Sequence, residues 1–91
     1  NVANSYFFLQ MYPETIEWCE KIIRNYPDDQ IEALHLTACS YYNMLDIDLC
    51  LKYLALIWHK SNNRFEDEYL NDKRFKYMFA NITHLIKKDG L

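Results

Sequence analysis

Leu49-Cys50-Leu51-Lys52-Tyr53-Leu54-Ala55-Leu56-Ile57-Trp58 carries apolar side chains on more than one face of a helix. Leu49, Tyr53, Leu56 and Ile57 form one stripe, and Ile47, Leu51, Leu54 and Trp58 form another, each with i, i+3/i+4, i+7 spacing. A surface helix of a small domain needs only one such stripe. Leaving the second wet forgoes about 25 cal/mol for each Å² of apolar area. Its cover comes either from another part of the same chain or from another chain, which points to association and away from catalysis.

Around this helix the composition is half apolar, with eight Tyr but one Gly and two Pro, too few turn residues for a many-stranded fold. An all-α domain is expected, spanning residues 1–91 as one unit. The mild net charge of −3 and the scattered basic residues argue against nucleic acid, which needs a dense basic stripe. No uninterrupted apolar stretch reaches the ~20 residues of a membrane span, and no basic-then-apolar leader opens the chain. No membrane contact is expected, and the location is read as intracellular. Beginning at Asn1 without an initiator Met, the chain is expected to be a fragment of a longer one. Cys19, Cys39 and Cys50 are odd in number and lie in apolar helical patterns, which fits reduced, buried thiols.

Working outward, residues 2–11 read as a short apolar helix. Pro13 opens a second, with Ile16, Cys19, Ile22, Ile23 and Tyr26 as its buried stripe and Glu17–Lys21 and Glu20–Arg24 as i,i+4 pairs on its wet side. Asp28 or Asp29 caps a third helix reaching about Asn43, with Ala33, Leu36, Thr37, Ser40 and Tyr41 facing inward. Asp46 caps the fourth, and 61–63 close it. Residues 64–71, with Glu66-Asp67-Glu68 at their centre, read as an inserted loop or a single helical turn. Asn71 or Asp72 caps the last helix, whose inner face is Phe75, Met78, Phe79, Ile82, Leu85 and Ile86. Lys87 and Lys88 suit its C-terminal end, and Gly90 supplies a left-handed stop.

A shift of roughly 34 residues places Thr15 on Leu49, Cys19 on Tyr53, Ile22-Ile23 on Leu56-Ile57 and Phe7-Phe8 on Tyr41-Tyr42. These are packing positions of a tetratricopeptide repeat, and the shift is that repeat's period, so the helix pairs resemble that family. The resemblance implies antiparallel helix pairs in a right-handed superhelix. About two and a half repeats are present, interrupted by the inserted segment near 62–71. The repeat's usual Gly-rich turn is missing at Met44-Leu45. In this register the outer face of the second helix carries Glu17, Glu20, Lys21 and Arg24, whereas the matching face of the fourth carries Leu51, Leu54, Ala55 and Trp58. Either the insertion folds back over that dry face, or it is a protein interface.

Glu32-Ala33-Leu34-His35-Leu36-Thr37-Ala38-Cys39-Ser40-Tyr41-Tyr42 and Lys76-Tyr77-Met78-Phe79-Ala80-Asn81 resemble the N-terminal repeats of the tetratricopeptide scaffold subunits of the anaphase-promoting complex, of the cell-division-cycle protein twenty-seven type. This resemblance implies a non-enzymatic scaffold in a multi-subunit ubiquitin ligase of the cell cycle. It also implies an N-terminal homodimer, contacts with other subunits, and a place in nucleus and cytoplasm. A second resemblance, through Leu51-Lys52-Tyr53 and Lys87-Lys88-Asp89-Gly90-Leu91, is to the cytosolic helical domain of the mitochondrial fission adaptor, a monomer that binds a partner helix or peptide.

Sites of chemistry are sparse. His35 and Cys39 lie one turn apart, but no second pair at ligand spacing accompanies them, so no metal is expected. No Ser-His-acid order or phosphate loop stands out, and neither catalytic residues nor a cofactor are assigned. Asn81-Ile82-Thr83 matches a glycosylation sequon inside a helical pattern. Asn4 suits a clamp for a peptide carboxylate, but Ala38 replaces its counterpart in the next unit. The expected role is therefore self-association, with Phe7, Phe8, Tyr41 and Tyr42 in an aromatic groove and Leu51, Leu54 and Trp58 on the dry face.

Overall fold

Two chain reversals set the architecture. In the computed structural model, which describes residues 2–62 and 67–88 (side chains of 29, 67, 68 and 83–88 excepted), α1 (Val2–Phe8) ends with Gln10 in the left-handed region at φ 60°. Gln10 N–H donates to the Phe7 carbonyl at 2.9 Å and Met11 N–H to the Tyr6 carbonyl at 2.9 Å, which is the paired bonding of a Schellman stop. The chain then enters α2 (Tyr12–Asn25), with Pro13 in its first turn. The same sequence of events follows α3 (Gln30–Asn43). Leu45, at φ 64°, donates to Tyr42 at 3.0 Å, Asp46 donates to Tyr41 at 2.9 Å, and α4 (Ile47–Lys60) begins.

These bonds are related by an offset of 35 residues, from Gln10 to Leu45 and from Met11 to Asp46. The same offset carries the bond from Thr15 N–H to Met11 onto that from Cys50 N–H to Asp46, both 3.0 Å long. At the far ends it carries Tyr26→Ile22 onto Ser61→Ile57. The repeat is thus present in the backbone, one residue longer than the period expected from the sequence. Burial follows it: Thr15 and Cys50, Cys19 and Leu54, and Ala3 and Ala38 are all buried pairs at this spacing.

Between the two hairpins, Pro27–Asp29 forms a 3-10 turn that runs directly into α3, and Gln30 Nε2 donates back to the Ile23 carbonyl at 3.1 Å. Successive helices run antiparallel. Cys19 pairs with Thr37 near the middles of α2 and α3, Gln30 at the start of α3 reaches Ile23 near the end of α2, and Tyr41 stacks on Tyr53 across α3 and α4. After α4 a single turn, α5 (Asp67–Leu70), precedes α6 (Lys73–Lys88), which lies on α3 and α4. Two acidic caps start the later helices as expected. Leu49 N–H donates to Asp46 Oδ1 at 3.3 Å, and Arg74 N–H donates to Asp72 Oδ1 at 2.8 Å. Among the described residues there is no strand, and the molecule is an all-α, repeat-like stack.

α3 is the axis of the core. Every residue from 33 to 40 is buried, because α2, α4 and α6 cover three of its sides and α1 also reaches it. Its buried hydroxyls turn back on their own helix, with Thr37 donating to the Ala33 carbonyl and Ser40 to the Leu36 carbonyl, each at 2.8 Å. Leu36, Leu54, Ile57, Phe75 and Met78 fill the space between the helices, and Cys19, Cys39 and Cys50 are buried free thiols among them. Some expectations need correction. α1 stops at Phe8 and does not continue to residue 11, Tyr26 is 61% exposed where a core position was expected, and Tyr41 is half-buried. The predicted core positions Leu85 and Ile86, like Lys87, Lys88 and Gly90, lie outside the described side chains.

Candidate protein interface

A helix turns by about 100° per residue, so a one-residue slip in register exchanges one face for another. With the structural offset of 35, the wet residues Glu17, Glu20, Lys21 and Arg24 of α2 correspond to Lys52, Ala55, Leu56 and His59 of α4, all exposed except the half-buried Ala55. Leu51, Leu54 and Trp58 correspond instead to Ile16, Cys19 and Ile23, the inward face of α2. The apparent contrast between a wet and a dry face was a product of the shorter period. Leu54 is 0% exposed within the single chain, so it is a core residue and not an interface residue. Leu51 and Trp58 are half-buried against the same core, as are Tyr69 and Leu70 of the inserted segment.

The aromatic set also separates. Phe7 is half-buried and meets Tyr12 edge-on at 5.6 Å. Tyr41 stacks on Tyr53 with ring centroids 5.6 Å apart, and the hydroxyl of Tyr42 accepts a bond from Asn81 Nδ2 at 2.7 Å. Phe8 alone is open, at 73% exposure. Of the residues expected in the groove and on the dry face, Leu54 is core, Phe8 is exposed, and Phe7, Tyr41, Tyr42, Leu51 and Trp58 are half-buried.

A different apolar surface takes their place. Phe8, Leu9 and Met11 at the first chain reversal, and Met44 and Leu45 at the second, are all exposed, Leu45 to 85%. Because successive helices run antiparallel, the α1–α2 and α3–α4 reversals fall at the same end of the stack. Leu9 and Met44 are equivalent positions. The sequence pattern marked 44–45 only as a turn. What it lacked was the left-handed conformation at Leu45, which leaves the side chain outside.

Beside that edge, an open groove of about 620 Å³ runs between Asn4 and Phe8 of α1 and Asp72, Lys73 and Arg74 at the start of α6. It adjoins a second of about 580 Å³ at Lys73, Lys76 and Tyr77, where Tyr77 is 78% exposed. Arg74 fixes the floor. Its guanidinium donates to both oxygens of Asp72, at 3.1 and 2.9 Å, and to Asn4 Oδ1. Bonding to Arg74 holds the Asp72 carboxyl below its usual range, and bonding to Asp72 raises Arg74.

Buried titratable groups are shifted toward neutrality. Desolvation pushes Cys19 up to about 11 and Cys39 and Cys50 to about 12, so all three are thiols and not thiolates near neutral pH. Among the described residues no group of His, Cys, Asp and Glu could hold a metal ion, and no helix is long and apolar enough to cross a membrane. No family model matches the chain, and no curated protein or solved structure compared with it does either.

Proposed function

We propose that this chain is a non-enzymatic protein-interaction module of the helical-repeat kind, and that its partner is a second copy of itself. The observation that carries the reading is the apolar edge of Phe8, Leu9, Met11, Met44 and Leu45, contributed by two equivalent chain reversals. Clustered exposed apolar side chains of this kind mark association surfaces, and a two-fold axis lets one edge meet its own copy. The resemblance of residues 32–42 and 76–81 to scaffold subunits of the anaphase-promoting complex supports the same role. It adds the expectation of a multi-subunit assembly of the cell cycle, in nucleus and cytoplasm.

Sedimentation at micromolar concentration tests the pairing. The chain is expected at twice its 11.1 kDa mass, and the double substitution Leu9→Glu, Leu45→Glu at 11.1 kDa with unchanged helical circular dichroism. A wild-type monomer under these conditions removes the reading.

A second reading is favoured by the groove between α1 and α6. Phe8 and Tyr77 offer open rings beside Lys73 and Lys76, a combination suited to a partner segment with an apolar anchor and acidic flanks. In that case the module is a monomeric adaptor, as the likeness to the fission adaptor implies. Lys73→Glu with Lys76→Glu then abolishes peptide capture without changing the sedimentation.

A further inference from the structure

His35 lies where two parts of the molecule meet. It belongs to the buried run of α3, yet much of what covers its ring comes from α5, within the inserted segment, and from α6. Tyr69 of α5 stacks on it with centroids 4.0 Å apart, and Phe75 and Phe79 of α6 approach at 5.2 and 5.5 Å. The seam continues through Cys39, whose Sγ donates to the Arg74 carbonyl at 2.9 Å, and Cys50, whose Sγ lies 3.7 Å from Met78 Sδ. Cys19 sits apart from this seam, on Thr37 between α2 and α3.

We propose that His35 is an acid-operated latch: protonation of its ring opens the seam between α3–α4 and α5–α6 while leaving the α1–α4 hairpins standing. Charging the imidazole in this buried site costs its hydration, and the attraction of a cation to the surrounding ring faces returns only part of that. The charged and titratable groups nearby are Glu32 from α3, Tyr69 from α5, Asp72 from the turn between α5 and α6, and Arg74 from α6, which together line a small cavity of about 210 Å³. Of these, Asp72 favours the cation, but burial outweighs it and holds the closed-state imidazole down to about 3. Opening restores its ordinary value of 6.5, so each pH unit below that makes the open form about tenfold more populated.

Site-resolved thiol labelling reads the latch. Dithiodipyridine, which reacts in acid, is applied at neutral pH and at about pH 5, with rates taken relative to the denatured chain at the same pH and assigned by peptide mapping. Cys39 and Cys50 are expected to gain about thirtyfold in relative rate in acid, while Cys19 stays protected and His35→Phe abolishes the gain. Labelling of Cys19 in step with the other two, or an equal gain in His35→Phe, overturns the proposal. Should that variant fail to fold, the imidazole signal of the wild-type chain decides by nuclear magnetic resonance. A closed-state ring still neutral at about pH 5, in a chain whose Cys39 and Cys50 label faster there than at neutral pH while Cys19 does not, upholds the latch, and a ring that titrates near its ordinary value with Cys39 still protected defeats it.

Discussion

Leu45 is the residue whose conformation costs the most for what it touches. It sits at φ 64°, where a β-carbon crowds the following carbonyl, and its side chain is 85% exposed. In the Leu9→Glu background, which removes the proposed pairing, Leu45→Gly is therefore expected to raise the urea midpoint by the equivalent of about 1 kcal/mol, less the entropy that Gly adds to the unfolded chain. A lowered midpoint in that background would mean that Leu45 makes contacts within the single chain. Gln10 occupies the same place in the first hairpin at φ 60°. The sequence marks a turn at 43–45, but with no Gly there the usual marker of the left-handed position was missing while the position itself was kept. No composition rule finds a Leu there. The bonds from Leu45 to Tyr42 and from Asp46 to Tyr41, made by backbone groups, are invisible in side-chain identity.

At the level of elements, the starts of helices were the most legible features. Pro13, Asp46 and Asp72 each act through a local rule: a preset φ in the first case and a carboxylate meeting a free N–H in the other two. Register was less legible, since two apolar stripes on α4 fit a 34-residue shift nearly as well as the true one, and the error turned an inward face outward. Leu54 is the measure of that difference. As a core side chain with no exposed surface, Leu54→Ala is expected to destabilise the folded chain by about 3 kcal/mol in urea titration, whatever the protein concentration. A loss that vanished on dilution would return Leu54 to an intermolecular contact.

For the whole molecule, acid stability follows from groups that are harder to protonate when folded. His35 is lowered by burial from 6.5 to about 3, and Asp72 is lowered from 3.8 by its bonds to Arg74. In each case the unfolded chain takes up the proton first, so the stabilisation is complete above the unfolded value and is lost as pH falls below it. The His35 contribution should begin to fall just below 6.5, at about 1.4 kcal/mol per pH unit, before most carboxylates titrate. Urea midpoints compared at neutral and mildly acid pH check this, and a flat profile between them contradicts it. The candidate interface belongs to this scale too, and it was the least legible feature. Phe8 and Leu9 lie far in sequence from Met44 and Leu45, and the two pairs share one end of the stack only because the helices between them alternate in direction.

The geometry shared by the two reversals has a consequence for growth. Since the joint entering α4 is built like the joint entering α2, a tandem copy of one 35-residue block has ready-made places for each of its ends. The stack is a ladder that can gain a rung without redesign of the rungs already there, and each added rung would lengthen the apolar rail along one side.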